Sequence, residues 1–305
     1  MKRIFIIIVN WNGWKDTQAC LSSVFSLNAR AMHVTPVIVD NGSTDGSVGI
    51  LKKKYPKMHF IALSRNFGFS GGNNAGIRYA LQNGADAIWL LNNDTVVHAD
   101  ALVLADALQK HAAGIAGSKI YFAKGREYHV TRYAKNQLGK VFWYAGGSID
   151  WKNMYAGHRG VDEVDHGQYD TIEQTPFVSG CSMMVARSVF EKIGLLDERF
   201  FLYLEDLDFC LRAKRAGYMP IYCPDSVVWH VNAGSSGGPG NPLHTYYMTR
   251  NRLIVGMRFA SVRTKLALIK ESLRFVFGAD PLRRKAVVDA ALGRLGKQYD
   301  PKKQH

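Results

Sequence analysis

Ala87-Ile88-Trp89-Leu90-Leu91-Asn92-Asn93-Asp94 is an apolar run that ends abruptly in two amides and a carboxylate. Five apolar residues without polar alternation read as a strand buried on both faces, the pattern of a parallel sheet covered by helices. The same grammar extends upstream. Ile4 to Val9, Val34 to Val39 and His59 to Leu63 read as strands, with helices expected at Thr17 to Leu27, Thr44 to Lys54 and Gly71 to Gln82 between them. Strand and helix alternate, so the spacing predicts an α/β fold with a Rossmann-like, mostly parallel sheet flanked by helices. Ligands of such sheets bind beyond the carboxyl ends of the strands. Asn10-Trp11-Asn12, Asp40-Asn41-Gly42-Ser43, Arg65-Asn66-Phe67-Gly68 and Asn92-Asn93-Asp94 all fall there, on one rim.

Downstream the pattern changes. From about Tyr121 to Thr175 periodicity fades into aromatic and glycine-rich sequence, including Phe142-Trp143-Tyr144 and Asp162-Glu163-Val164-Asp165, an irregular stretch of the kind that carries function. Regular pattern returns as a strand at Val178 to Val185, a helix at Asp206 to Ala216 closed by Gly217, and a strand at Val227-Val228-Trp229-His230. Gly234 to Gly240 reads as a flexible segment placed to serve as a lid.

With 305 residues and 47% hydrophobic composition the chain can bury a substantial core. Its formal net charge of +14 calls for an anionic partner, with nucleic acid, nucleotide diphosphates and anionic lipid all eligible. Position narrows the choice: from Asn251 onward there are thirteen Lys or Arg against four Asp or Glu, a net +9 in the tail and away from the rim. Among Leu, Ile, Val and Phe, these cations fit an amphipathic basic helix pair able to rest on anionic lipid; a helical cap packed on the fold or a homodimer contact fits the same pattern. Cys20, Cys181, Cys210 and Cys223 show no CxxC spacing and read as reduced, buried thiols of a cytoplasmic protein. Ile4 to Val9 is too short for a leader and meets Asn10 without a cleavage site. No stretch approaches the roughly 20 apolar residues that span a bilayer, so any membrane association is expected to be peripheral.

The chemistry is read from three strand or helix ends. Asp94 offers a carboxylate for a divalent cation, and His230, ending another apolar run, offers an imidazole; with diphosphate and water completing the shell, the pair suits Mn²⁺ or Mg²⁺, the imidazole favouring Mn²⁺. Asn92 and Asn93 can bond ribose or phosphate. Glu205-Asp206 opens a helix after Phe200-Phe201-Leu202-Tyr203. Acids there ordinarily favour the helix dipole, but an aromatic run beside them desolvates a carboxylate and raises its basicity, as a general base requires. Asp206 takes that role and Glu205 a supporting one. Asp40 to Ser47 reads either as a capped turn or as a site for a base and phosphate. The Arg65 to Gly76 loop supplies donors from Arg65, Asn66 and Asn73, and close approach at Gly72.

Taken in order, Val9-Asn10-Trp11-Asn12, Val39-Asp40-Asn41-Gly42-Ser43, the Arg65 to Gly76 loop, Leu91-Asn92-Asn93-Asp94, Gly180, Glu205-Asp206, His230 and Tyr247-Met248-Thr249-Arg250-Asn251 resemble a family 2 glycosyltransferase of the GT-A fold, most closely its rhamnosyltransferase-like branch. The resemblance covers residues 4 to about 252. It implies inverting transfer of a sugar from a nucleotide diphosphate donor (dTDP- or UDP-sugar, dTDP-rhamnose from the branch) to a saccharide or lipid-linked saccharide, as in bacterial surface polysaccharide assembly. Val9, Asn10, Asn12, Asp40, Asn41 and Ser43 would then face the nucleotide, with Asp40 reading the base; Arg65, Asn66, Gly72, Asn73, Asn92, Asn93 and Arg250 would serve the donor, Asp94 and His230 the metal, and Gly180 and Trp229 the acceptor. Residues 1–118 form the nucleotide-sugar half, 119–245 the acceptor and catalytic half of the same domain, and 246–305 the basic helical segment. One departure stands out. The family's metal motif usually reads Asp-x-Asp, and here Asn92 holds the first place. Two other readings share parts of the pattern: a nucleotidyl- or sugar-phosphate transferase, which should carry a Gly-rich basic loop that Val9 to Trp14 lacks, and a non-catalytic protein binding nucleic acid or membrane through its charge.

Overall fold

The computed structural model describes residues 2–231 and 240–301. The 234–239 part of the glycine-rich segment read as a lid lies outside them. Strand β1 (Arg3–Asn10), helix α1 (Trp14–Val24), β2 (His33–Asp40), α2 (Ser47–Lys54), β3 (His59–Ala62), α3 (Gly68–Gln82) and β4 (Ala87–Asn92) alternate as the sequence predicts. The parallel strands lie in the order β4-β1-β2-β3. Ile4, Ile6, Ile7 and Ile8 are fully buried, because helices cover both faces of β1. Each such side chain contributes about 2 kcal/mol through removal from water.

The chain builds outward from β1 to β2 and β3, then returns to place β4 on the other side of β1. This reversal opens a crevice at the carboxyl ends of β1 and β4, where a doubly wound sheet binds ligands. α1 runs from Trp14 to Val24, starting and ending three residues earlier than the expected Thr17 to Leu27, and α3 begins at Gly68, three residues before the glycine pair expected to open it.

Beyond β4 the sheet turns mixed. β5 (Thr95–Val97), α4 (Val103–Lys110), β6 (Ile115–Phe122), β7 (Phe142–Tyr144), the hairpin of β8 (Gly147–Asp150) and β9 (Tyr155–His158), and β10 (Glu173–Gln174) lead to β11 (Ser182–Ala186), α5 (Arg187–Ile193), α6 (Glu205–Arg215) and β12 (Ile221–His230). β11 inserts antiparallel between β4 and β6, β12 runs parallel to β6, and β5 crosses back to pair with β12. The 118/119 division therefore falls inside β6, and the two halves share one sheet. The irregular stretch is ordered by side chains: Lys119 is buried on β6, its ammonium 3.0 Å from Asp165 and also bonded to Asp170, while the Tyr121 hydroxyl donates to Asp165.

The C-terminal segment comprises α7 (Pro242–Phe259), α8 (Val262–Phe277) and α9 (Pro281–Ala291), three helices where a pair was expected. Tyr246 and Tyr247 of α7 and Ala286 of α9 form a small second core with Phe201 and Tyr299, so α7 and α9 cap the fold. Among the described residues no helix is long and apolar enough to cross a membrane. The four cysteines are free and buried.

Candidate active site

The rim at β1 and β2 is a connected polar network. Asn10 donates 2.7 Å to Oδ2 of Asp40 and 3.1 Å to the Ser43 hydroxyl, and Ser43 N–H donates 2.8 Å to Oδ1 of Asp40. Asn12 N–H donates to Ser43 Oγ and its side-chain oxygen accepts from Thr44 N–H. Across the reversal, Asn93 donates 3.0 Å to Thr17 Oγ1, which donates 2.8 Å to Asn10 Oδ1. The Asp40 segment thus forms an ordered turn, and both of its carboxylate oxygens are already bonded. Each oxygen has a second lone pair, and the network holds those acceptors fixed.

Several residues expected at the donor hold the loop. Asn41 is buried, donating to Gly68 O and Asn66 Oδ1 and accepting from Phe67 N–H, while Asn66 Oδ1 also accepts from Gly68 N–H. Asn73 is buried and bonds Phe69 O. Gly72 lets α3 approach Val9, whose Cγ1 would stand 2.8 Å from a Cβ there. Arg65 alone of this loop is an exposed cation, laid over the Phe67 ring.

At the end of β4 the chain turns through Asn93 and Asp94 into β5. Because β5 pairs with β12 so that Thr95 opposes His230, the imidazole is delivered to Asp94 across 136 residues of sequence: Nε2 of His230 is 3.2 Å from Oδ1 of Asp94, both residues nearly buried. Nδ1 of His230 is buried without a partner. Trp143, on β7, packs edge-on to the His230 ring at 4.6 Å and to His158 at 4.3 Å. His158 bonds the Trp143 carbonyl through Nδ1, and burial pushes its pKa down to about 4, so it is neutral. The residues suit a divalent ion: two ligands at right angles on an ion about 2.1 Å from each stand roughly 3 Å apart, the spacing Asp94 and His230 already hold. Among the described residues no group of three or more His, Cys, Asp or Glu forms a metal cage. The pair fits an ion carried in with a diphosphate, whose oxygens complete the shell.

Asp206 sits in the first turn of α6. Its Oδ2 accepts 2.9 Å from Gly180 N–H and its Oδ1 2.8 Å from Leu207 N–H. Burial raises its pKa, opposed by these N–H bonds. Glu205 is more deeply enclosed: burial, and secondly the charge of Asp206, hold its pKa well above the usual carboxylate range, and its Oε2 has no partner. Asp208 is structural, fully buried between Arg212 at 2.8 Å and Arg258 at 2.6 Å.

Gly180 and Cys181 join this carboxylate to the metal end. While Gly180 N–H holds Asp206, the next carbonyl, of Cys181, accepts 3.0 Å from Asn92 N–H, two residues before Asp94. The buried Cys181 thiol has its pKa raised first by burial and then by Asp94, with Asp206 also contributing, so both carboxylates lie within electrostatic reach of one side chain. Gly180 and Cys181 thus link the first turn of α6 to the end of β4.

Arg250 and Trp229 are bonded elsewhere. Arg250 is fully buried in α7, donating to the carbonyls of Gly296, Arg199 and Phe200 and to Asn251 Oδ1. Its partners are backbone carbonyls inside the fold, and the expected contact with a departing diphosphate is corrected to support of the loop before Glu205. Trp229 donates to Gly139 O and lies against Tyr121 and His98; strand alternation turns it away from the His230 side. Gly180 acts through Asp206.

Asn251 and Trp143 are the additions. Asn251 donates 3.1, 2.8 and 2.8 Å to the carbonyls of Phe200, Leu202 and Tyr203, in a loop where Phe201, Tyr203 and Leu204 all have positive φ. On the other side Phe69 N–H donates 2.7 Å to Phe201 O, and a Cβ at Gly68, whose φ is +77°, would stand 2.2 Å from that oxygen. The Arg250-Asn251 pair was the available sequence signal, as was the Phe142-Trp143-Tyr144 run for Trp143.

Residues 5–194 match the family model described as glycosyl transferase family 2. This chain belongs to that family. The glycosyltransferase is 25% identical over 242 residues to an N-acetylglucosaminyl-diphospho-decaprenol L-rhamnosyltransferase of Mycobacterium tuberculosis, covering 76% of this chain and 77% of the relative. It is 27% identical over 266 residues to the dTDP-rhamnosyl transferase RfbF of Shigella flexneri, covering 83% and 79%. Among solved structures it resembles GalNAc-T7 with UDP, GalNAc and Mn²⁺ (TM-score 0.66, 16% identity, 95% of this chain and 55% of that one), and a mannosyltransferase of Pyrobaculum calidifontis with GDP-Man and Mn²⁺ (TM-score 0.55, 15% identity, 98% and 81%). The fold is GT-A and the chain is a nucleotide-sugar glycosyltransferase, which sets aside the nucleotidyl transferase reading.

Proposed function

We propose that this glycosyltransferase moves rhamnose from dTDP-rhamnose, or a related sugar from UDP, to a lipid-linked saccharide, by single displacement with inversion at the anomeric carbon. The observation that supports the mechanism is the tie between Asp206, a carboxylate whose pKa burial raises, and the β4 end through Gly180 and Cys181. The names of the relatives support the sugar and the lipid-linked acceptor.

The base lies against the Asn10-Asp40-Ser43 network and the diphosphate against Asp94 and His230. When bound there, Mn²⁺ or Mg²⁺ supplies neutralisation of diphosphate charge. Asp206 accepts the acceptor hydroxyl's proton as its oxygen forms a bond to the anomeric carbon, and the bond from that carbon to the diphosphate oxygen breaks on the opposite face. Both electrons of that bond leave with the nucleoside diphosphate. Burial pushes Glu205 toward its protonated form, which limits the negative charge beside Asp206.

Screening nucleotide sugars with Mn²⁺ for thermal stabilisation and for release of nucleoside diphosphate tests the donor. Release of pyrophosphate, or a product retaining the donor's anomeric configuration by NMR, overturns the mechanism.

A further inference from the structure

The outer face of α8 carries Val262, Leu266, Ile269, Leu273 and Phe277, which are 73, 61, 43, 53 and 84% exposed. Their spacing of four, three, four and four places them on one stripe of the helix, about 22 Å long at 1.5 Å per residue. Large apolar side chains in line along a helix, open to water, are costly to maintain without a partner. Only Thr264 and Leu268 of α8 are buried, against the rest of the fold.

Charge decides the partner. Arg263, Lys270 and Arg274 follow one edge of the stripe, all exposed, and none forms an ion pair among the described residues. Glu271 is the only acid on α8, and it bonds Arg252 at 2.8 Å on the inward side. The outward face is therefore purely cationic beside its apolar line. A second copy of the same face would bring unpaired cations against unpaired cations. An anionic lipid surface meets both demands at once. The Thr264 hydroxyl, buried on the inward side of α8, donates 3.1 Å to the carbonyl of Trp151, so the β8–β9 hairpin braces the helix from the side opposite the stripe.

We propose that α8 is an interfacial helix that seats the enzyme on an anionic membrane, its apolar stripe entering the acyl boundary and Arg263, Lys270 and Arg274 lying among lipid phosphates. The seat depends on the surface of α8 whatever sugar is transferred, so it stands apart from the reading of the chemistry.

The test is co-sedimentation of the full chain with phosphatidylcholine vesicles containing or lacking phosphatidylglycerol. Wild type should bind only the anionic vesicles and be released by high salt. Leu266→Glu/Leu273→Glu, and separately Arg263→Gln/Lys270→Gln/Arg274→Gln, should each weaken partitioning by roughly tenfold or more while leaving circular dichroism and transfer to a soluble acceptor unchanged. Binding indifferent to phosphatidylglycerol, or equal binding by wild type and the Gln variant, overturns the proposal. So does a concentration-dependent dimer, dissolved by the Glu variant, in a protein that ignores vesicles; that result gives the stripe to a second copy.

Discussion

The N–H of Gly180 donates 2.9 Å to Oδ2 of Asp206, and the same glycine has no room for a side chain: a Cβ would stand 2.8 Å from Cζ of Phe69. Gly180→Ala must displace the Phe69 ring or the strand entry that aims the carboxylate. We expect a stability loss of about 1 to 3 kcal/mol, the usual cost of overpacking, and a fall in kcat larger than any change in KM for donor. Chemical denaturation and steady-state kinetics measure the two effects. Unchanged kcat would show that Asp206 is not positioned from this side.

Asp206→Asn keeps the shape and removes the proton acceptor. Loss of general base catalysis lowers kcat by about 10² to 10⁴, with donor affinity by calorimetry close to wild type. Because burial raises the Asp206 pKa, the wild-type rate should climb with pH through a limb above the ordinary carboxylate range, as the protonated carboxyl cannot accept a proton. A rate already flat from the ordinary carboxylate pKa upward would contradict this role.

Glu205 gives a stability prediction of defined sign. Its folded-state pKa lies well above its unfolded one, mainly through burial. Between the two values the folded protein binds more protons, so this group costs stability as pH rises above the usual glutamate range. Glu205→Gln removes the cost. The variant should melt higher than wild type at neutral pH, the difference shrinking toward acid; a tenfold change in proton affinity is worth about 1.4 kcal/mol. Parallel melting curves for the two proteins across that range would refute it.

Asn251→Ala strips one amide from three carbonyls, those of Phe200, Leu202 and Tyr203. At about 1 kcal/mol for each bond, we expect a loss of roughly 2 to 3 kcal/mol and faster hydrogen exchange through 200–206. Arg250→Lys should behave similarly, since an ammonium cannot reproduce a guanidinium's planar fork. If Arg250→Lys reduced donor affinity without loosening this loop, a role at the diphosphate would be restored to Arg250.

The parallel core was readable because strands buried on both faces must be apolar throughout, and Ile4 to Val9 and Ala87 to Leu91 have no other reason to be so. Asp94, Asp206 and His230 were readable because each follows such a run or an aromatic one. What escaped were partners that exist only after folding. Arg250 looks like a phosphate ligand in sequence, since nothing local announces the carbonyls of Arg199, Phe200 and Gly296 that take its protons. β11 reads as a strand, but its antiparallel insertion between β4 and β6 depends on residues more than sixty positions away. Trp143 sits in sequence without periodicity, and its contact with His230 arises from β7 pairing with β6.

The Asp94 and His230 pair predicts how metal binding depends on nucleotide. With one carboxylate and one imidazole 3.2 Å apart and no third ligand of those types among the described residues, the protein alone offers two donors to an ion that takes about six. Calorimetry should find weak Mn²⁺ binding to the free protein and much tighter binding once nucleoside diphosphate is present. Asn92 stands half-buried at the end of β4, two residues before Asp94. Asn92→Asp adds a carboxylate there, and should raise Mn²⁺ affinity of the nucleotide-free protein several-fold, in keeping with the greater pull of each added anionic ligand. Asp94→Ala should abolish the nucleotide-dependent gain while leaving the fold intact. Tight Mn²⁺ binding to the wild-type protein without nucleotide would show that the ion has ligands beyond this pair.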